Sequence, residues 1–170
     1  MRMMDTLKRT ISGVRESGGA DILDTLKHEH DEVAEMLGRL VNTSAAGERK
    51  ALLRRISGAL VPHLRAEERV VYKAVVALKD KEPQQDGKEG LLEHRLADRT
   101  LASLGKIADA ASPDFSAGAK VLKELVEHHV EEEESNIWKD VREHFSADDR
   151  IAMNRRFEAA KKRVRARLAA

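Results

Sequence analysis

Apolar residues recur every three or four positions in five long segments of this chain, and no segment alternates as a half-buried β-strand would. The segments span about residues 21–41, 48–78, 88–110, 116–143 and 147–168. The stretches between them are rich in turn and capping residues and cover 41–48, 79–90, 111–118 and 144–149. Because short links join long amphipathic helices, we expect the first four to form an up-down-up-down four-helix bundle. The predicted fold class is all-α, with an additional C-terminal helix and a short N-terminal leader.

A length of 170 residues suits one domain with flanking elements. We place a leader or short docking helix at 1–20, the bundle at 21–145 and a basic amphipathic helix at 146–170. The leader lacks the apolar core and cleavage site of a secretory signal. Within the second segment we expect Pro62 to kink the helix or to mark a boundary between two pieces.

The amino-acid composition excludes several classes of function for this chain. The formal net charge is +1, so the chain as a whole has no bulk attraction for nucleic acid or anionic lipid. The chain has no cysteine, which excludes disulfides, iron–sulfur clusters and a cysteine nucleophile and fits a cytoplasmic protein. No apolar run approaches the roughly 18–20 residues that span a bilayer, so we expect no membrane partner.

Polar residues interrupt four of the apolar rows where core residues should stand. The second and fourth segments carry a doubled motif, "HLRAEERVVY" at 63–72 and "HVEEEESNIW" at 129–138. The interrupting residues are His30 in the first segment, His63 and Glu67 in the second, His94 and Asp98 in the third, and His129 and Glu133 in the fourth. Residues four apart lie on one helix face, so the two members of a pair can reach a common ion.

Several imidazoles and carboxylates that converge in one core predict bound cations, because burying an unpaired carboxylate costs several kcal/mol. This donor set suits iron, manganese or zinc. Taken singly, each residue has an ordinary explanation: a satisfied core histidine, a helix-surface pair or, for Asp98, an ion pair with Arg95 or Arg99. The agreement of four helices favours the metal site.

The fourth segment offers two registers, because His128 and Glu132 have the same spacing as His129 and Glu133. Leu125, His129, Glu133 and Ile137 form one continuous row, so we assign His129 and Glu133. We expect His28, His128 and His144 to be peripheral. Tyr72 stands one turn beyond Glu67, close enough to hydrogen-bond near the site, although packing in the core is the more usual role.

Together, four stretches resemble the hemerythrin-like family, the HHE cation-binding domain, over about residues 21–143. They are "DILDTLKHEHDEVAEML" (21–37), "HLRAEERVVY", "LLEHRLADRTL" (91–101) and "HVEEEESNIW". The resemblance implies a four-helix bundle around two non-heme iron ions bridged by oxo and carboxylate groups, with iron favoured over zinc or manganese. Carried over by position, His30, His63, His94 and His129 are terminal ligands and Glu67 and Glu133 are bridges.

Two departures from the family pattern bear on function. Asp98 stands where the oxygen-carrying members have a second histidine, which implies a harder, more anionic site that favours ferric iron. This weighs against reversible oxygen carriage and in favour of peroxide or oxygen reduction. Lys73 and Lys139 stand where many relatives have proline, so we expect both helices to continue.

We therefore expect a protein that binds, senses or reduces a small ligand: dioxygen, peroxide or nitric oxide. Whether it is an enzyme stays open. The alternatives are a metal- or oxygen-responsive regulatory module and an iron- or zinc-binding protein without redox turnover. The fifth segment is basic, with Glu158 the only acid in 150–170. We favour its packing on the bundle or forming a homodimer over its binding nucleic acid.

Overall fold

The computed structural model describes residues 19–170, and the leader predicted at 1–20 lies outside these residues except for its last two positions. The described part of the chain is helical and contains no strand. The helices are α1 (Ile22–Asn42), α2 (Ala46–Glu67), α3 (Lys73–Val76), α4 (Lys81–Gly105), α5 (Pro113–Glu132), α6 (Trp138–His144) and α7 (Ala147–Leu168). Two π-helical turns, Glu68–Tyr72 and Glu133–Ile137, join α2 to α3 and α5 to α6, so residues 19–170 form five rods. The predicted all-α class is confirmed.

Local capping explains where three of the rods begin. The Asp21 side chain accepts from the Leu23 amide at the start of α1. Ser112 caps α5, and Pro113 occupies its first turn, where a missing N–H costs nothing. Ser146 and Asp149 form a reciprocal capping box at the start of α7.

The predicted gap at 79–90 is wrong for most of its length, because α4 already begins at Lys81. Pro83 lies in the first turn, where proline is compatible with a helix. Gly87 and Gly90 lie inside α4, where the lack of a side chain lets the helix approach its neighbours closely. A Cβ at Gly90 would lie 2.7 Å from the Tyr72 hydroxyl oxygen, and one at Gly87 would lie 2.7 Å from Cγ2 of Val76. These glycines therefore mark close packing and not a turn.

The helix does not end at Pro62, which lies inside α2. Proline has no N–H to donate to the carbonyl of Gly58, four residues earlier. Gly58 is exposed, so water can hydrogen-bond this carbonyl instead. The interruption comes instead after Glu67, where the π-helical turn begins. The helices continue past Lys73 and Lys139 as expected, to Val76 and His144.

Two apolar clusters make up the core. The first contains Leu37, Ile56, Leu104 and Leu122 and is formed by α1, α2, α4 and α5. The second contains Leu26, Tyr72, Trp138 and Phe157 and includes residues of α7, which packs on α1 and α2. Along three rods, buried polar residues lie where the chain passes from one cluster to the other. None of the helices in residues 19–170 is long and apolar enough to cross a bilayer.

Candidate metal centre

Six buried polar side chains meet between the two apolar clusters. They come from four rods and are His30, His63, Glu67, His94, His129 and Glu133, each no more than 5% exposed. These are six of the seven residues predicted from the interrupted apolar rows. Glu67 is the last residue of α2 and Glu133 the first of the second π-helical turn. Single π-helical turns are frequent at functional sites.

Glu67 lies between two pairs of histidines. Its Oε2 is 3.2 Å from His63 Nε2 and 3.5 Å from His94 Nε2, and its Oε1 is 3.9 Å from His30 Nε2. Two groups of potential metal ligands follow, His30 with His63 and Glu67, and His94 with His129 and Glu67. In each group the ligand atoms lie within 4.8 Å of one another. Glu67 is common to both groups.

Glu133 also contacts one histidine of each group. Its Oε2 lies 3.2 Å from His129 Nε2 and 3.8 Å from His30 Nε2. The Nε2 atoms of His94 and His129 are 3.0 Å apart. Two nitrogens bound at about 2.1 Å to one ion, at right angles, are separated by about 3 Å. The spacing of these donors therefore suits a shared cation.

Four buried atoms at the centre of the cluster make no hydrogen bond to any of residues 19–170: His30 Nε2, both carboxylate oxygens of Glu67 and Oε2 of Glu133. Buried polar atoms in native proteins are normally satisfied, so these four need a partner. A cation would satisfy all of them at once, because each has a lone pair to donate. The residues present therefore fit a metal centre.

A closed ring of outer glutamates holds the four histidines. The Nδ1 atom of each histidine hydrogen-bonds a glutamate on a neighbouring rod, and the pairs are His63 with Glu29 (2.8 Å), His94 with Glu68 (3.3 Å), His129 with Glu93 (2.8 Å) and His30 with Glu134 (3.0 Å). An ionised carboxylate can only accept, so each Nδ1 carries the proton. Each Nε2 is thereby directed to the cluster, as in histidines that ligate metals.

Sequence reasoning missed these outer glutamates, although a simple signal marks them. Each is the chain neighbour of a residue in the cluster: Glu29 precedes His30, Glu68 follows Glu67, Glu93 precedes His94 and Glu134 follows Glu133. Adjacent residues lie about 100° apart around a helix. The neighbour of an inward residue therefore faces the next rod and its histidine.

The C-terminal helix α7 contributes to the same arrangement. The ammonium group of Lys161, a side chain 3% exposed, donates to Glu29 and also lies 2.8 Å from Glu158. The ring of Phe157 packs edge-on against His63, with centroids 5.8 Å apart. The predicted packing of this helix on the bundle therefore places two of its residues beside the histidine cluster.

Electrostatic attraction dominates the cluster. Burial disfavours charge on His63, but Glu67 and Glu29 outweigh it and raise its pKa to about 10. Burial likewise opposes charge on His129, and Glu133 and Glu93 raise its pKa to about 9. Burial would raise the pKa of the Glu67 carboxyl, but His63 and His30 hold it well below its usual range. The carboxylates thus favour positive charge at the imidazoles, which either a proton or a cation on Nε2 can supply, and the imidazoles favour ionised carboxylates.

Asp98 is the predicted site residue that the structure does not bring to the cluster. It forms an ion pair with Arg65 of α2, where the sequence suggested Arg95 or Arg99 as partners. Arg65 also forms an ion pair with the outer glutamate Glu68 at 2.8 Å. Asp98 therefore lies beside the outer glutamates and not in the cluster. The inward position one turn after His94 is taken by Ala97, which is 5% exposed.

The remaining histidines lie outside the cluster. The side chains of His28 and His128 are 76% and 61% exposed, and His144 contacts Asp80 at 3.3 Å. Tyr72 is fully buried, and its ring centroid lies 4.9 Å from that of His94. Its hydroxyl has no hydrogen-bond partner among residues 19–170.

Comparison with known families agrees with this geometry. The family model of the hemerythrin HHE cation-binding domain matches residues 21–141. The chain belongs to this hemerythrin family. Membership identifies a cation-binding domain, and the structure contains groups of histidine and glutamate side chains that could hold a metal ion.

A crystal structure of a hemerythrin HHE cation-binding domain-containing protein, the Rv2633c homolog from Mycobacterium kansasii, superimposes with a TM-score of 0.73 at 19% identity. The match covers 86% of this chain and 88% of that one, and it shows the hemerythrin-like fold. A curated protein from Nostoc sp. (strain PCC 7120), called a DNA nickase, is 24% identical over 148 residues. That alignment covers 87% of this chain but spans 41% of the length of the Nostoc protein.

Proposed function

We propose that this hemerythrin-family protein holds two iron ions and uses them to bind, sense or reduce dioxygen, peroxide or nitric oxide. The observation that carries the proposal is the position of Glu67, which is shared by two groups of ligands. Glu133 supports it, because its Oε2 lies near one histidine of each group. In this proposal the four histidines are terminal ligands and the two glutamates are bridges.

An iron pair supplies open coordination positions and a change of oxidation state. The chain's own side chains supply the surroundings. The outer glutamates hold the Nδ1 protons and fix the ring orientations. Trp138 supports the inner residues, because its indole N–H donates to Oε1 of Glu133 at 3.3 Å and its ring stacks on His30.

The space beside the histidines suits a ligand of very few atoms. A cavity of about 10 Å³, roughly one water molecule, lies against all four histidines. Its apolar walls are Val33, Leu60, Leu64, Ala97, Val126 and Val130. Cavities that hold organic substrates measure some hundreds of Å³. We therefore assign the site to a diatomic molecule or peroxide.

The test is the absorption spectrum of the iron-loaded protein before and after addition of peroxide or nitric oxide. We expect an oxo-bridged di-iron band that changes with either ligand. The Glu67→Ala variant should lose the band, whereas Asp98→Ala should keep it, because Asp98 lies outside the cluster. An iron-loaded wild-type protein with no such band and no response would contradict the proposal.

A regulatory role is the second candidate, and the contact of Lys161 with Glu29 favours it. This contact couples the metal centre to a helix whose outer face carries Arg155, Arg156, Lys162 and Arg163. A partner that binds this face could read the state of the cluster. The DNA nickase name of the Nostoc relative makes duplex DNA the first probe.

Replacing these four basic residues with alanine leaves Lys161 and Phe157 in place, so the test does not disturb the packing of α7. DNA binding that weakens with salt and is lost in this variant would support the regulatory role. Absence of binding by the wild-type protein at low salt would rule out a DNA partner.

A further inference from the structure

An acidic recess opens beside the cluster, between α4 and the rod formed by α5 and α6. It has a volume of about 20 Å³, enough for one water-sized body. Its acidic side chains are Asp86, Glu89, Glu93, Glu132 and Glu133. Glu89 lies at the exposed end of this acidic recess and Glu133 at the buried end.

The outer acids of the recess have little compensating charge. Asp86 and Glu89 form no ion pair within the described residues, and Glu132 accepts a hydrogen bond from Asn136 at 2.8 Å. Burial and repulsion from Glu82 and Glu132 raise the pKa of Asp86, and Lys139 offsets this only in part. Negative charge is therefore concentrated where the recess meets solvent.

The buried end of the recess contains polar atoms that lack partners. Tyr72 is fully buried and Glu133 is 1% exposed, and both line the recess. Neither the Tyr72 hydroxyl nor Oε2 of Glu133 makes a hydrogen bond in the described part of the chain. A buried phenol and a buried carboxylate oxygen without partners, at the end of an acidic recess, indicate a positively charged ligand.

The recess leads directly to the cluster. Glu133 belongs to both, and Glu93 lines the recess while it holds Nδ1 of His129. The apolar cavity proposed for the small ligand shares only Glu93 with the recess. A cation and a neutral ligand therefore have separate approaches to the same centre.

We propose that the acidic recess is the route by which a divalent cation reaches the buried cluster. Asp86 and Glu89 capture the hydrated ion, and Glu132 and Glu133 replace its water ligands as it moves inward. Carboxylate oxygens suit this transfer, because they bind hard divalent ions readily. Acid-lined clefts of this kind raise cation association rates by about 10–10³-fold, and the gain falls with ionic strength. This route rests on the proposed function, because it needs a metal at the cluster.

Uptake can be followed with an intrinsic probe. Trp138 is the only tryptophan of the chain, and its indole donates to Glu133, so an ion bound there should change its fluorescence. The experiment mixes metal-free full-length protein with Fe²⁺ under anaerobic conditions. The test variant is Asp86→Asn with Glu89→Gln. The matched control is Glu124→Gln with Glu127→Gln, which removes the same charge from exposed positions that pair with Lys120 and Lys123.

We expect the test variant to take up iron about tenfold more slowly than wild type, with a weaker dependence on salt. The control variant should match the wild-type rate, and all three proteins should reach the same final iron content. Equal rates in all three, or equal slowing in both variants, would overturn the route while iron still binds. A wild-type protein that binds no iron would overturn the proposed function and the route together.

Discussion

Lys161 in α7 and His63 in α2 bind opposite oxygens of one carboxylate, that of Glu29 in α1. The contact between Lys161 and Glu29 makes the C-terminal helix part of the metal centre's support. Lys161 is 3% exposed, and a buried ammonium persists only where a charged partner satisfies it. The position of His63 therefore depends on a helix that lies outside the 21–141 match to the family.

Replacing Lys161 with methionine removes the charge and keeps most of the apolar stem. We expect the free energy of unfolding to fall by about 1–3 kcal/mol, because Glu29 loses a buried partner. Iron affinity should fall by about 10–100-fold as His63 loses its fixed orientation. Urea unfolding and iron competition with a chelator measure the two effects. Lys162→Met, at an exposed position, is the control, and equal iron affinity in both variants would contradict the prediction.

The outer glutamate of His30 gives a second test of the ring. Glu134→Ala removes the acceptor that lies 3.0 Å from His30 Nδ1. We expect iron affinity to fall by about 10–100-fold, while the helix itself stays intact. Chelator competition measures the affinity and circular dichroism the helix content. Glu131→Ala changes an exposed acid on the same rod, and a similar loss there would show that charge, not orientation, is responsible.

The contact between Gly90 and Tyr72 predicts opposite effects for two glycine substitutions. Gly90→Ala would place a methyl group 2.7 Å from the hydroxyl oxygen of a fully buried tyrosine, and overpacking of this kind costs about 1–3 kcal/mol. Gly38 lies inside α1, and within residues 19–170 no heavy atom outside its own helix turn lies within 4 Å of where a methyl carbon would stand. Gly38→Ala should therefore stabilise the protein by up to about 1 kcal/mol. Thermal unfolding of both variants checks the pair, and a Gly90→Ala protein as stable as wild type would contradict the packing.

The pKa of Asp86 predicts a stability gain that depends on pH. Burial and repulsion raise this pKa above 3.8, so the folded state binds the proton more tightly than the unfolded state. Stability from this group is therefore present at low pH and is lost as pH rises through the raised pKa. Because solvent screens this partly exposed group, Asp86→Asn should stabilise the protein by at most about 0.5 kcal/mol at pH 7. Urea unfolding should show that the gain vanishes below about pH 4, and a gain that is independent of pH would contradict this origin.

Helical periodicity was sufficient to predict which six side chains face one another. A histidine or glutamate that replaces a core residue in an apolar row must point inward, whatever the details of packing. The same reasoning placed Asp98 at the cluster, whereas the structure has Ala97, three residues after His94, at the inward position. Arg65, from another rod, then fixed the direction of Asp98.

The outer glutamates and the start of α4 required knowledge of neighbouring rods. Glu29 and Glu93 resemble solvated charges until His63 and His129 are placed beside them. In the sequence, the glycines of α4 resemble turn residues. Their role is close contact with Val76 and Tyr72, and this contact exists only once the rods have packed together. Local sequence cannot report such contacts between distant segments.

Iron content per chain is the most direct test of the two-iron centre. We would measure iron and zinc in protein expressed with iron, beside the Glu67→Ala and Asp98→Ala variants. The shared position of Glu67 predicts about two irons per chain in wild type and Asp98→Ala, and loss of iron in Glu67→Ala. One zinc per chain, no metal, or iron retained without Glu67 would contradict a centre bridged by this carboxylate.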